Sequence, residues 1–212
     1  MNSSISNIMP WKLDELVNNL MNQVGVNNPT QGVELFNSGA WQACKVLPRW
    51  KEREGIFYFS VASDRTSGRQ WIKRLEKNGL KIYEKAKEIL CSPGFKATGG
   101  IEYGIAVIKP SLIREYGCTI KDLLVEMNHR FLKRPGVEIA CLIREYLSDK
   151  EIGEMGLDSI VTLHEPVDGI LLGITLGHWR LSSYGYDLDF CYWDLKTAFA
   201  FIVWEAILGE IE

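Results

Sequence analysis

Apolar and polar positions along the chain follow two patterns, and the first of them marks extended segments. Five runs combine apolar residues with many β-branched and aromatic side chains, which favour strands. We predict strands over 55–63, 100–110, 160–163, 169–177 and 197–204. Turn-forming residues from Pro166 to Gly169 separate the third run from the fourth, which predicts that these two strands form a hairpin.

The second pattern, with apolar residues at i, i+3 and i+4, predicts six helices. One covers 10–25, another follows the loop 63–71 and ends at Gly79, and the others cover 81–90, 119–134, 136–147 and 148–156. Thr119 is placed to cap one of these helices. Ser148 and Glu151 have the spacing of a capping box at the start of the last. The β-branched residues of 136–147 leave a strand as the alternative there.

Strands and helices are mixed along the chain without strict alternation. This order favours an α+β fold with about five strands in a mainly antiparallel or mixed sheet and with helices packed on one face. No repeat at a fixed period and no low-complexity linker divides the chain, so we expect a single domain over 1–212. The helix at 10–25 could lie at the periphery of that domain.

The composition is that of an ordinary globular protein, since 46% of the 212 residues are hydrophobic and 24% are charged. A chain of this length buries about 70% of its unfolded surface, so it needs no metal or disulfide to fold. No motif indicates a cofactor. Five widely spaced cysteines favour reduced thiols in an intracellular protein. We find no signal peptide and no apolar run that could span a bilayer, which predicts a cytoplasmic protein without a membrane partner.

Three segments resemble a group of short uncharacterised proteins of bacteria and their mobile elements. That group shares a Thr-Ser/Thr-Gly-x-x-Trp-Ile-x-Arg-Leu segment, an Ala-Cys-Leu-Ile/Leu-Arg-Glu segment and a final His-Glu-Pro. Here these correspond to residues 66–75, 140–145 and 164–166, and the resemblance covers about half of the chain. It ends after Pro166, where the group has a polar tail and this chain an apolar stretch. The resemblance implies a shared fold and a bacterial or mobile-element origin. It implies nothing about activity.

The first candidate site follows the strand at 160–163, where His164, Glu165 and Asp168 come in close succession. A histidine beside carboxylates suits general acid–base catalysis, because its ordinary pKa lies near neutrality. Adjacent residues of an extended strand face opposite sides, so His164 and Glu165 share a pocket only if the strand ends between them. In the structural alternative, which we favour, His164 bonds a neighbouring backbone group and Pro166 ends the strand.

The second candidate is the loop 63–71, which leads from a strand into a helix. Its small residues, including Ser67, could expose backbone amides that stabilise an anion at the helix N-terminus, and Arg65 and Arg69 would add positive charge. The loop lacks the glycine and lysine pattern of nucleotide-binding loops. An ordinary N-cap role for Ser67 accounts for most of the pattern.

Positive charge is concentrated in residues 65–87, with eight lysines and arginines against two acids. Arg69, Lys73 and Lys77 are four residues apart, so they lie on one helix face, away from the apolar residues. This basic face could bind a protein or a nucleic acid. It could equally face water or the acidic C-terminal third, where residues 145–212 hold 13 acids against 3 bases.

A further candidate site is the aromatic segment at 178–194. Trp179, Tyr184, Tyr186 and Trp193 could form an exposed recognition loop. The alternative, which we favour, is that these side chains complete the core.

Two functions compete on this basis. The first is a non-enzymatic binding protein that uses the basic helix face or the aromatic loop. The second is a small enzyme that acts on an anionic substrate, with His164 as the acid or base and the loop from Arg65 to Arg69 as the anion site. We favour the binding protein, because each catalytic pattern is incomplete.

Overall fold

The structure of the protein is a computed structural model that describes residues 49–114, 118–176, 180–185, 193 and 195–203. The predicted helix at 10–25 lies outside these residues, as do Trp179 and Tyr186. Contacts group residues 48–212 into one compact unit. The wider expectation, a single domain over 1–212, stays a prediction.

A single mixed sheet runs through the described residues. Its strands are β1 (Lys51–Arg53), β2 (Ile56–Asp64), β3 (Lys81–Ile82), β4 (Gly99–Ile108), β5 (Leu132–Lys133), β6 (Ser159–Thr162), β7 (Ile170–Thr175), β8 (Arg180–Gly185) and β9 (Thr197–Val203). Their spatial order is β1-β2-β4-β9-β6-β7-β8-β3, and β5 pairs with β9. The pairs are antiparallel except β6 with β9 and β3 with β8. The sheet is therefore mixed.

The expectation of about five strands is wrong, because the described sheet has nine. The five predicted strands are present as β2, β4, β6, β7 and β9. Three of the others, β1, β3 and β5, have only two or three residues, so they are too short to show a periodic pattern. β8 lies in the segment that we interpreted as an aromatic loop.

Five helices accompany the sheet in the described residues, together with a 3-10 turn at Pro110–Leu112. They are α1 (Gly68–Lys77), α2 (Glu84–Cys91), α3 (Ile120–His129), α4 (Glu138–Tyr146) and α5 (Asp149–Glu154). Both predicted caps are confirmed, since the Thr119 hydroxyl accepts from the Asp122 amide and the Ser148 hydroxyl from the Glu151 amide. The region 136–147 contains the helix Glu138–Tyr146, which excludes a strand there.

Alternate side chains of the strands fill two hydrophobic cores, one on each face of the sheet. In β4, Ile105 and Val107 belong to the first core, and Ala106 and Ile108 to the second. The buried residues of α1, α2, α4 and α5 lie in the first core, whereas those of α3 lie in the second. The expectation that helices pack on one face is therefore wrong for α3.

The first turn of α1 packs against the backbone of α2. A Cβ atom added to Gly68 would lie 1.7 Å from the Leu90 carbonyl oxygen, so only glycine allows this approach. Further along α1, Trp71 and Leu75 are fully buried in the first core. These contacts fix which face of α1 is turned to solvent.

A buried carboxylate joins α1, α4 and the segment before β4. Glu138, in the first turn of α4, is 2% exposed. Its Oε2 accepts from the amide of Thr98 at 2.9 Å and from the Thr98 hydroxyl at 2.6 Å. Its Oε1 accepts from Trp71 Nε1 at 3.4 Å, and the Tyr103 hydroxyl donates to Thr98 Oγ1. A buried charge with several donors stabilises one arrangement of these elements.

Candidate functional site

Helix α1 turns a row of cations to solvent. Arg69, Lys73 and Lys77, which we call the cationic face, are all exposed, whereas Trp71 and Leu75 on the other side are fully buried. Among the described residues, no carboxylate forms an ion pair with any member of the cationic face. Its three charges are therefore open to an external anion.

Three other bases of the 65–87 region, Arg74, Lys85 and Lys87, are paired within the protein. Arg74 contacts Asp64 at 2.6 Å and Glu145 at 2.7 Å, and its guanidinium lies 4.7 Å from the centre of the Trp71 ring. The hydrogen bond from the Thr66 hydroxyl, together with that from Arg74, lowers the pKa of Asp64. Arg74 therefore joins α1 to β2 and α4 and is not part of the cationic face.

The two lysines of α2 are also paired. Lys85 contacts Glu88 at 2.7 Å, and Lys87 contacts Glu76 at 2.9 Å and Glu84 at 3.2 Å. Carboxylates of the described residues therefore form ion pairs with these lysines but not with the cationic face. The region 65–87 therefore contains bases that are paired within the protein and bases that have no ion pair among the described residues.

The loop before α1 is held together by its own side chains. Ser67 is the N-cap residue, and its hydroxyl and amide both donate to the side-chain oxygen of Gln70, at 2.7 and 2.9 Å. Arg65 has a left-handed backbone conformation, with φ of 66°, and its amide donates to the carbonyl of Thr98. The stem of Arg65 crosses the backbone of Gly99, where a Cβ atom would lie 1.9 Å from Cγ. Arg65 is exposed and adds a fixed cation before α1.

His164 is buried, and both of its ring nitrogens are bonded to the backbone. Nδ1 lies 2.5 Å from the carbonyl of Glu165, and Nε2 accepts from the amide of Leu172 at 2.9 Å. An Nε2 that accepts requires the proton to be on Nδ1, so the ring is neutral. Burial lowers the pKa of His164 and keeps it in this form.

This geometry explains why a histidine follows β6. The backbone pairing of β6 with β7 runs from Ser159 to Val161, and side chains continue it towards Leu172. The Thr162 hydroxyl donates to the carbonyl of Leu172 at 2.7 Å, and His164 accepts from its amide. The two side chains replace a missing rung of the ladder, so the buried polar groups of Leu172 are satisfied.

Glu165 and Asp168 lie outside this buried arrangement. Glu165 is exposed and forms an ion pair with Arg134. Asp168 and Gly169 have φ of 51° and 70° between the paired residues Val167 and Ile170, which is the two-residue type I′ turn. The predicted hairpin is confirmed, and Asp168 is one of its turn residues. Within the described part of the chain, no hydrogen bond or ion pair joins His164 to Arg69.

The stability of the protein should depend on His164 in mildly acidic solution. The unfolded chain takes up a proton near pH 6.5, whereas the buried ring, with its lowered pKa, does so only at lower pH. The contribution of His164 to the free energy of unfolding should therefore be fully present above about pH 6.5. It should decrease as the pH falls, by at most about 1.4 kcal/mol per pH unit for one proton. Urea unfolding at pH 5.0 to 7.5 measures this slope, and His164→Gln should remove it.

His129 is the matched control, because its side chain is 73% exposed. His129→Gln should keep the slope of the unaltered protein. Carboxylates with a lowered pKa, such as Asp64 and Glu151, titrate at lower pH and do not produce a slope near pH 6. An equal slope in the His164→Gln and unaltered proteins would contradict the neutral, backbone-bonded ring.

Two of the four residues of the predicted aromatic recognition loop are described, and both contact the second core. The Tyr184 hydroxyl lies 2.8 Å from Thr175 Oγ1, and its ring centre is 6.1 Å from that of Trp193. Trp193 packs edge-on against Phe199 at 4.9 Å. Trp179 and Tyr186 lie outside the described residues, so the recognition loop stays a prediction.

Metal ligands and thiols give no further site in the described part of the chain. No group of three His, Cys, Asp or Glu residues there could hold a metal ion. Cys91, Cys118 and Cys141 are free thiols, and burial raises the pKa of Cys118 to about 11. None of the described helices is long and apolar enough to cross a bilayer.

Comparisons with protein-family models, with curated proteins and with solved structures find no match to this chain. The resemblance noted above therefore stays a prediction.

Sequence reasoning found the cationic face but did not separate it from the paired bases around it. Part of the signal was local, since Lys85 and Glu88 stand three residues apart, as do Glu84 and Lys87. The partners of Arg74 come from β2 and α4, which no pattern in the sequence indicates. Glu138 was missed because a carboxylate in the first turn of a helix is ordinarily an exposed residue.

Proposed function

We propose that this chain is a non-enzymatic binding protein whose cationic face holds an anionic protein or nucleic acid. The observation that carries the proposal is the row of Arg69, Lys73 and Lys77, exposed and without an ion pair among the described residues. Arg65, exposed before the first turn of α1, supplies a further charge. Ser67 supports the loop through Gln70.

The energetics of α1 support this proposal. Like charges at i, i+4 destabilise a helix by about 0.2–0.5 kcal/mol per pair. Two such pairs stand in the cationic face, and no carboxylate of the described residues forms an ion pair with them. A bound anion would relieve this repulsion. Binding to another molecule best accounts for the cationic face.

The enzyme alternative, with His164 and Glu165 acting together with Arg65 and Arg69, has no comparable support. The ring of His164 is neutral and bonded to backbone on both nitrogens, and Glu165 is paired with Arg134. The catalytic role stays a prediction, as do the cytoplasmic location and the bacterial or mobile-element origin.

Charge reversal at one lysine tests the proposal. Lys73→Glu should weaken binding to immobilised heparin and lower the salt concentration at which the protein elutes, because it removes one attraction and adds one repulsion in the middle of the row. Lys85→Glu changes the net charge equally on the neighbouring helix, at a lysine paired with Glu88. We expect about a tenfold weaker affinity for Lys73→Glu and less than a twofold change for Lys85→Glu. Equal effects of the two substitutions would contradict a specific cationic face.

A further inference from the structure

The chemistry of the cationic face selects one class of anion, an inference that rests on the proposed function. We propose that Arg69, Lys73 and Lys77 bind the phosphate backbone of a nucleic acid duplex without reading its base sequence.

The spacing of the row matches a regular chain of charges. A helix rises 1.5 Å per residue, so successive members of the row stand about 6 Å apart along α1 and turn about 40° around it at each step. This separation is comparable with that of neighbouring phosphates along one strand of a nucleic acid. Three evenly spaced cations on a rigid element therefore fit an evenly spaced row of anions.

The absence of an apolar anchor distinguishes a nucleic acid from a protein partner. Protein interfaces are held by a few large side chains, mostly aromatic, in a desolvated centre. Of the large apolar residues of α1, Trp71 and Leu75 are fully buried in the first core, and Ile72 is half-buried against it. The exposed large apolar residues of the described chain all lie on other elements: Tyr83, Ile101, Leu112, Val125, Phe131 and Leu195. A surface of cations without an anchor suits a backbone of phosphates, where electrostatic contacts supply the affinity.

The same surface indicates a duplex and no base readout. Proteins that bind single strands stack bases on exposed aromatic rings, and the aromatic ring of α1, on Trp71, is completely buried. Bidentate readout of adenine by a glutamine needs its side-chain oxygen, and that of Gln70 is already bound by Ser67. Two members of the row are lysines, which act as point charges on phosphates. The face therefore contacts phosphates and leaves the bases unread.

The structure holds the row in place before any partner arrives. The close approach of Gly68 to Leu90 and the burial of Trp71 and Leu75 fix the rotation of α1. Only the side chains of the cationic face have to be ordered on binding, which limits the entropic cost. The chain as a whole carries a net charge of −3, so binding should be local to this face and weak at high salt.

The test measures the affinity of the full chain for a fluorescently labelled 20-base-pair duplex at 50–200 mM salt. Three phosphate contacts predict a slope of log K against log salt of about −2.7, hence an affinity loss of about 40-fold over this range. Each of Arg69→Gln, Lys73→Gln and Lys77→Gln should reduce the slope by about 0.9. Lys85→Gln should leave it unchanged, and a duplex of scrambled sequence should bind equally well.

Two further probes, poly-L-glutamate and a single strand of the same length as the duplex, distinguish failure of this inference from failure of the proposed function. Binding to poly-L-glutamate that depends on the cationic face, without binding to the duplex, would overturn this inference and leave the proposed function standing. Tighter binding of the single strand than of the duplex would overturn the assignment to a duplex. Failure to bind any of these probes would overturn both the inference and the proposed function.

Discussion

Gly68→Ala should lower the free energy of unfolding by about 3 kcal/mol, the upper end of the range for overpacked sites. The added Cβ atom would lie 1.7 Å from the carbonyl oxygen of Leu90 and 2.6 Å from its carbonyl carbon. Both are backbone atoms, so no side-chain rotation can relieve the contact. Helices α1 and α2 would have to separate, and Trp71 would lose packing contacts in the first core. Urea or guanidinium unfolding measures the change.

Gly136→Ala is the matched control for this experiment. Gly136 precedes α4, no atom lies within 4 Å of a Cβ atom added there, and its backbone is not left-handed. This substitution should be neutral or stabilise the protein by about 0.5 kcal/mol, because alanine restricts the unfolded chain. If Gly68→Ala and Gly136→Ala unfold at the same denaturant concentration, α1 and α2 are not in backbone contact. The rotation of α1 that exposes the cationic face would then lose its main support.

The sequence predicted best where a local pattern and a local cause coincide. The hairpin of β6 and β7 was predicted from Pro166 to Gly169, and its turn uses the Asp168 and Gly169 pair that a type I′ turn favours. The caps at Thr119 and Ser148 depend only on residues three positions away. The side-chain rung formed by Thr162 and His164 could not be predicted, because it depends on the register of β7.

The second core was missed although its signal was present. Residues 104–108 of β4 and 197–201 of β9 are buried without interruption, and their apolar runs do not alternate with polar residues. A continuous apolar strand indicates burial on both faces of a sheet. Helices were therefore required on both sides, and α3 covers the second. Which helix takes that place depends on chain connections, which the periodicity of α3 does not encode.

The cationic face, too, could be predicted in part from local spacing and in part only from the tertiary structure. The i, i+4 spacing of Arg69, Lys73 and Lys77 placed them together on the helix surface, as the structure has them. Whether a base is available depends on the carboxylates that other elements bring near it. Arg74 is neutralised by Asp64 and Glu145, which lie 10 and 71 residues away in the sequence. The available charge is therefore a property of the tertiary fold.

Glu138→Ala should destabilise the protein by about 3 kcal/mol, because it removes the acceptor of one buried and two half-buried donors at once. The amide and hydroxyl of Thr98 and Nε1 of Trp71 all donate to this carboxylate. Without it, Nε1 of Trp71 would be left unsatisfied in the core, the half-buried groups of Thr98 would lose their acceptor, and the truncated side chain would leave a cavity. Glu138→Gln keeps one acceptor oxygen but turns an NH₂ group towards a donor, so its loss should be smaller. Denaturant unfolding near pH 7 measures both.

Glu145→Ala provides the comparison on the same helix. Its carboxylate is paired with Arg74, but the side chain is 31% exposed, so the substitution should cost less than about 1 kcal/mol. A double-mutant cycle of Glu138→Gln with Thr98→Val should give a coupling energy of about 1 kcal/mol or more, as for a hydrogen bond to a charged group. If Glu138→Ala is no more damaging than Glu145→Ala, the carboxylate is hydrated and does not join α1, α4 and Thr98. A coupling near zero would lead to the same conclusion, because the Thr98 hydroxyl would then have another partner.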